Sequence, residues 1–484
     1  MYLGLDLGTS GLRALLTDAS GQVVGVADAS YPVSHPHPGW SEQDPQDWIA
    51  ACEQTITKLR AVHPEAMAEL RGIGLSGQMH GATLIDASGS PLRPCMLWND
   101  TRSAQQAAEL DAAEDVRALS GNIVFPGFTA PKLAWVRDHE PDIFTKIDKV
   151  LLPKDYLRFW LSGAVISDLS DSAGTAWLDT GKRGWSGRLL AASDMKADQM
   201  PALVEGSEAG GTLRPDLQEA WGIRESVIIA GGGGDNAAAA CGAGCFREGQ
   251  GFVSLGTSGV LLAAKDSYAP DPATAVHTFC HAVPGKWYQM GVILAATDCM
   301  NWLSVVTGQS PAELAGALPD HADGPGDILF LPYLSGERTP HNDASIRASF
   351  TGIDVAHTTA DLTRAVMQGV AFALKDCLEA LNATGTHPKR LLAIGGGTQS
   401  PFWVETLASV LNLPLDLPEK GEFGAALGAA RLAIAAVTGG DLDQIMTQPK
   451  ISKTIEPRSD LVAAYAQAHA RYRALYPNMK AALT

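Results

Sequence analysis

The chain has 484 residues, 46% of them apolar and 18% charged, with a formal net charge of −17. This length is too great for one ordinary core and predicts two large domains, and the composition excludes a disordered or fibrous chain. The acidic balance excludes a nucleic-acid surface, which needs a basic footprint, and leaves an anionic ligand to backbone amides, helix N-termini and a metal ion.

In chain order, residues 2–7, 12–17 and 23–27 read as three strands, the first ending in Gly8-Thr9-Ser10-Gly11 and the second in the turn Asp18-Ala19-Ser20-Gly21. An Asp-x-Ser-Gly turn between apolar runs is hairpin chemistry, because Gly accepts positive φ and Asp tolerates the turn. The same tetrapeptide returns at 86–89. Helices are predicted over 45–59, 104–118, 129–139, 235–243, 360–381, 400–411 and 424–437, and a last one over 459–476 that packs on the second domain, with Pro477 marking its end. Hairpins mixed with strand–turn–helix units make an α/β layered chain. The start at Met1 shows no basic leader or small-residue cleavage site, and the longest apolar run, 425–437, is short and interrupted by Arg431. A cytoplasmic protein with no membrane partner is expected. The seven cysteines lack any CxxC pair and are expected to be reduced, buried thiols.

An internal repeat organises the chain. Leu7-Gly8-Thr9-Ser10-Gly11 recurs letter for letter as Leu255-Gly256-Thr257-Ser258-Gly259, in an equivalent strand–turn–strand context, which predicts two homologous halves. The boundary falls in the polar stretch 246–251, giving domains 1–247 and 248–484. Each Gly-Thr-Ser-Gly turn offers consecutive N–H groups and two hydroxyls at a tight bend, a cradle for phosphate oxygens. Asp6 precedes the first turn where Ser254 precedes the second. One carboxylate beside a phosphate loop suits Mg²⁺, which takes one or two carboxylates plus phosphate oxygens and water.

Two glycine runs also follow strands and precede helices: Gly231-Gly232-Gly233-Gly234-Asp235-Asn236 and Gly395-Gly396-Gly397. Asp235 stands where it either caps a helix or acts as a general base, and the residues alone leave both open. There is no Gly-x4-Gly-Lys-Ser/Thr loop. Gly72–Gly77 does match the Gly-x-Gly-x-x-Gly dinucleotide pattern, but it runs into Gln78-Met79-His80-Gly81 rather than opening a helix, and is rejected.

Together these segments resemble the FGGY family of carbohydrate kinases, over most of the chain. The stretches 127–136 and 350–369 are similar to the family's two diagnostic segments. Those at 37–45, 78–83, 97–102 and 334–342 are similar to its xylulose-phosphorylating members. Four glycines stand before Asp235 where fewer are usual, Arg13 stands where Lys is common, and Asp298 and Asn301 depart from the expected helix pattern.

The resemblance implies an α/β protein of two ribonuclease-H-like, actin-like ATPase domains around a central cleft, the first binding sugar and the second nucleotide. It implies ATP-dependent phosphorylation of a sugar, with D-xylulose at its C5 hydroxyl the favoured acceptor and ribulose, L-xylulose, gluconate or glycerol the alternatives. Asp235 would accept the hydroxyl proton. Asp6 would hold Mg²⁺ through water, with Asp235 as the second carboxylate near the metal. Gly8, Thr9, Ser10 and Gly11 with Gly256, Thr257, Ser258 and Gly259 would hold phosphates, and Gly395, Gly396 and Gly397 would pack under the nucleotide. Met79, His80, Asp235 and Asn236 would contact the sugar, although a single histidine such as His80 is by itself more often a structural hydrogen-bonder. Sugar and ATP are the expected small-molecule partners and a homodimer the assembly to test. The competing class is a non-catalytic nucleotide sensor on the same fold.

Overall fold

The computed structural model describes residues 1–419, 421 and 423–483. In one mixed sheet, Tyr2–Leu7 pairs antiparallel with Gly11–Thr17, which pairs antiparallel with Val23–Ser30. On its other side Tyr2–Leu7 runs parallel to Gly72–Gly77, which runs parallel to Ile228–Ala230, and Ala209–Thr212 adds an antiparallel edge. In a second sheet, Gly251–Leu255 pairs antiparallel with Gly259–Lys265, and that strand antiparallel with Trp287–Ile293. Leu391–Ile394 and Leu415–Pro418 continue it in parallel on the other side. Numbered in chain order, the five core strands of each sheet lie 3-2-1-4-5 with the second reversed, the arrangement of a ribonuclease-H-like core. The repeated pentapeptide therefore occupies the same place twice, at the tight link between the first two strands of each sheet.

The local chemistry follows the residues. Asp18 Oδ1 accepts from the N–H groups of Ser20 (2.8 Å) and Gln22 (3.0 Å) while Gly21 takes φ 83°. Asp86 does the same for Ser88 (2.8 Å) and Ser90 (3.1 Å) beside Gly89 at φ 83°. Helix Pro45–Val62 is capped by Asp44 and lays Trp48, Ile56 and Leu59 on the first sheet. All seven cysteines are free and buried.

The dinucleotide-like run Gly72–Gly77 is itself a central strand, and its glycines serve packing. Helix Ala425–Thr438, although it stands in the chain between Leu415–Pro418 and Ile451–Ile455 of the second sheet, lies on the first sheet. A Cβ at Gly74 would stand 1.8 Å from the Ala429 carbonyl oxygen, and one at Gly4 1.9 Å from that of Ala426. Only glycine lets the helix backbone come so near.

Two predicted helices differ. The one over 104–118 is split into Ala104–Asp111 and Val116–Ser120, because Asp115 takes φ 67° and Asp111 turns outward to accept from Val124 N (3.0 Å). The last helix runs Val462–Leu483, straight through Pro477. Contacts on both sides of the proline hold it: Tyr476 stacks on His341 at 3.6 Å and donates to Asp343 (2.9 Å), and Lys480 pairs with Asp343 (3.1 Å). Its inner face buries Tyr465 and Tyr472 in the second core. Among the described residues, no helix is long and apolar enough to cross a membrane.

Gly74→Ala is expected to lower stability by about 1–3 kcal/mol, since the added methyl must push a buried helix backbone away. Chemical denaturation checks this. Gly184→Ala, whose Cβ meets nothing within 4 Å, should leave the midpoint unmoved.

Candidate functional site

Gly233 and Gly234 extend alongside Ser76 and Gly77 of the central strand, and helix Asp235–Gly242 starts where they end. The cap of that helix is Gly234, so Asp235 is its first turn and not its cap. Its Oδ1 accepts from Asn236 N (2.6 Å) and Asn236 Nδ2 (2.8 Å), and among the described residues Oδ2 takes no hydrogen bond. Burial pushes the Asp235 carboxyl up to about 6, Asn236 opposes this, and the charge of Asp6 adds to it. A carboxylate with one oxygen fixed and the other open, at a pKa near neutrality, suits proton acceptance.

The four glycines have separate causes. A Cβ on Gly231 would stand 2.1 Å from Glu205 O, and one on Gly232, at φ 75°, 2.2 Å from Leu75 O. Behind them, the fully buried Arg158 donates from Nη1 to Ala230 O (2.5 Å) and from Nη2 to Gly231 O. Lys154 Nζ pairs with Asp155 (2.6 Å) and Asp168 (2.7 Å). Asp168 in turn holds Ser170, whose Oγ accepts from Gly234 N (3.2 Å). These residues fix the loop in front of Asp235. Sequence reasoning missed them, since charges at 154, 158 and 168 look like ordinary surface until folding buries them together.

Asp6 lies in register with Ser76 on one neighbouring strand and Arg13 on the other. Burial raises its pKa, and the Ser76 hydroxyl and Arg13 charge offset that in part. The loop that follows is tied down at Thr9. Its carbonyl accepts from Gln43 Nε2 (2.6 Å), and its hydroxyl donates to Gln78 Oε1 (3.3 Å) and accepts from Trp98 Nε1 (3.0 Å). Tyr31 Oη donates to Gly8 O (2.6 Å). Three distant stretches singled out in the sequence, at 37–45, 78–83 and 97–102, thus meet at Thr9. Ser10 stays exposed.

Met79 lies against the Asp235 loop, its Cγ 2.9 Å from where a Gly234 Cβ would be. His80 holds φ 70°, costly for a histidine, and its carbonyl accepts from Lys132 Nζ (2.9 Å) and Thr129 Oγ1 (3.1 Å). Lys132, in the stretch 127–136, is a positioning residue that sequence reasoning did not name. The His80 ring stacks on Phe128 at 4.6 Å, and its Nδ1 is 2.6 Å from Gly174 O. A carbonyl only accepts, so Nδ1 carries the proton and Nε2 presents a lone pair.

On the second sheet, Gly256 O accepts from Thr297 N (2.9 Å) and Oγ1 (2.8 Å), leaving Thr257 and Ser258 exposed at the turn. Gly395, at φ 93°, packs where a Cβ would be 2.6 Å from Leu255 O, and Gly397 where one would be 2.7 Å from Leu255 Cβ. The structure thereby joins Gly256–Gly259 to Gly395–Gly397. Beside them lies a pocket of about 460 Å³, lined by Met300, Asn301, Leu318, Gly396, Gly397 and Trp403 among others. Asn301, one of the unusual positions, is in its wall. Asp6, Gly8–Gly11, Met79, His80, Asp235 and Asn236 form one group and the second sheet's loops another. Tyr288 of the second sheet reaches the first group, its hydroxyl 3.9 Å from Met79 Sδ.

Residues 1–242 match the N-terminal domain of the FGGY family of carbohydrate kinases, and residues 251–437 match its C-terminal domain. The chain belongs to the FGGY family of carbohydrate kinases. It is thus a phosphotransferase on the two-domain actin-like ATPase fold. It is 45% identical over 482 residues to a xylulose kinase of Escherichia coli K12, with 99% of each chain covered. A crystal structure described as a xyloylose kinase from Brucella ovis superposes with a TM-score of 0.98 at 57% identity, covering 99% of both chains. The xylulose kinase of Rhodospirillum rubrum superposes with a TM-score of 0.91 at 28% identity, covering 100% of this chain and 99% of that one.

Burial lowers the pKa of His80 to about 3, with the Lys132 charge adding to the effect. The imidazole should therefore stay neutral from about pH 5 to 8, where an ordinary histidine titrates. NMR of the ring in the intact enzyme checks this; a midpoint near 6.5 would contradict the buried, Nδ1-protonated state.

Proposed function

We propose that the protein transfers the γ-phosphoryl group of ATP to the C5 hydroxyl of D-xylulose, giving D-xylulose 5-phosphate and ADP. The observation that carries this reading is the carboxylate of Asp235, half-buried with one oxygen open, beside both Asp6 and the Met79-His80 turn. Full-length similarity to xylulose kinases supports the acceptor.

Asp235 Oδ2 takes the proton of the C5 hydroxyl as that oxygen attacks the γ-phosphorus in line. Phosphoryl transfer asks little covalent work of a protein, so placement and charge neutralisation supply most of the acceleration. His80 Nε2 accepts from a sugar hydroxyl, and Asn236 orients Asp235 and reaches the same sugar. Residues 1–247 act as the sugar side and 248–484 as the nucleotide side. The turns Gly8–Gly11 and Gly256–Gly259 hold phosphate oxygens from opposite sides through backbone N–H groups other than that of Gly8, which donates to Gly11 O (3.0 Å). Gly395–Gly397 lie under the nucleotide, and the apolar pocket beside them takes the adenine. Closure of the two sides excludes water, which an ATP-consuming enzyme needs to suppress hydrolysis.

The site also fits Mg²⁺. Asp6 and Asp235 put two half-buried carboxylates where phosphate charge must gather, and an oxygen donor set with water is what this ion prefers. Asp6 would hold it through water, with Asp235 close by, and the ion when bound neutralises charge on the β- and γ-phosphates.

The test is ADP release with Mg-ATP and D-xylulose, D-ribulose, L-ribulose, L-xylulose, glycerol or gluconate. D-xylulose should lead in kcat/KM by at least about tenfold, roughly 1.4 kcal/mol; a different leader overturns the acceptor. Asp235→Asn should lower kcat by about 10²–10⁴ with sugar binding retained. Retention of more than about a tenth of kcat would remove Asp235 from the base role.

A further inference from the structure

Residues 337–339 are fastened to the second sheet from both sides. Thr339 N donates to Val292 O (3.1 Å), Val292 N to Thr339 Oγ1 (3.1 Å), and Thr339 Oγ1 to Ala275 O (3.1 Å). Glu337 pairs its backbone with Asp343 in both directions (2.9 and 2.8 Å), and its Oε1 accepts from Leu294 N (3.2 Å) and Arg338 N (2.7 Å). Between these fixed neighbours the Arg338 side chain leaves the second sheet and crosses to the first half of the chain. Its guanidinium carbon lies 4.7 Å from the ring centre of Phe125.

Phe125 meets Phe128 at 5.6 Å and His277 at 5.3 Å, and Phe128 carries the stacked ring of His80. The Arg338 charge is near enough to help lower the pKa of both His80 and His277. Yet among the described residues its guanidinium makes no hydrogen bond and no ion pair; the Phe125 face is its one direct partner. A guanidinium has five N–H donors. None of the Arg338 nitrogens is sealed away from solvent, so a ligand acceptor entering the cleft can take them in place of water.

The chemistry of the acceptor says what that ligand end is. A 2-ketopentose closes its five-membered ring through O5 onto C2. A free C5 hydroxyl therefore exists only in the open chain, where C2 is a bare ketone. An enzyme that phosphorylates O5 must bind this extended form, with a carbonyl at the end remote from the reacting oxygen. The residues run in the same order: Asp235, then Met79 against Gly234, then His80, then Arg338 beyond the His80 and Phe128 rings.

We propose that Arg338 is a specificity-determining residue that donates to the C2 carbonyl oxygen of the open-chain ketose whose C5 hydroxyl lies at Asp235. This rests on the proposed xylulose phosphorylation. It also gives the second domain a direct hold on the sugar, so that binding the correct substrate favours closure.

The experiment compares the intact wild-type enzyme with Arg338→Gln and Arg338→Lys, measuring the KM for D-xylulose, the KM for ATP, and the inhibition constant of xylitol, which keeps the hydroxyls but lacks the carbonyl. Arg338→Gln should raise the KM for D-xylulose about 10- to 100-fold, the size expected of hydrogen bonds to a charged donor, while the xylitol constant stays within about threefold. The KM for ATP should not move, and Arg338→Lys, which keeps the charge but not the fork, should fall between. If Arg338→Gln does not fold, the lysine variant reads the same ratio. An unchanged ratio of xylulose KM to xylitol constant, or a rise confined to the KM for ATP, overturns the proposal. A wild-type enzyme that does not turn over D-xylulose overturns the underlying reading, and the proposal with it.

Discussion

The structure depends on a close approach of backbones between the first sheet and two helices. Helix Ala425–Thr438 lies on Gly4 and Gly74, and helix Asp235–Gly242 lies on the other side of it. A Cβ at Gly428 would stand 1.8 Å from Ala238 O, and one at Gly242 2.2 Å from Gly424 O. Small residues at each crossing let the layers meet with nothing between them, and tight packing of this kind leaves little room for adjustment. Asp6 ends one of the strands under this stack and Asp235 begins one of its helices. Their nearness is therefore set by backbone packing and not by any attraction between them, which as like charges they do not have. The same stack carries a helix from the far end of the chain into the first half, so the two halves are linked by more than one covalent crossing.

The charge distribution follows from that placement. A protein of net charge −17 that handles phosphates needs cationic help at few points and neutral donors at the rest. The two Gly-Thr-Ser-Gly turns supply N–H groups without side-chain charge. The cations that are buried do other work. Lys132 holds the His80 turn, Arg158 the glycine loop, and Lys154 the carboxylates of Asp155 and Asp168. Each is paired with carbonyls or carboxylates, as a buried charge requires, although Arg158 Nε itself has no hydrogen-bond partner. Arg338 differs in having, among the described residues, only the aromatic face of Phe125 as a direct partner.

Much of the site was legible before folding. The identical pentapeptides disclosed two equivalent hairpins, and the isolated Asp6 and Asp235 stood out against glycine-rich turns that need no carboxylate for structure. The split of the predicted helix at Asp115 and the run of the last helix through Pro477 were not legible. Each depends on partners far along the chain, Val124 in one case and His341 and Asp343 in the other, which override local preference.

The sequence by itself determined the fold class, the duplication, the turn chemistry and where the acidic and glycine-rich segments lie, because these rest on periodicity and on what glycine and aspartate can do locally. Only the tertiary structure decided that Gly72 and Gly74 serve a helix and not a dinucleotide. It alone made Asp235 a first-turn residue with one open oxygen, and it alone carried Arg338 across to the ring of Phe125. Those outcomes depend on which backbones approach within a few ångströms, and that distance is fixed by packing between segments hundreds of residues apart, which no local pattern encodes.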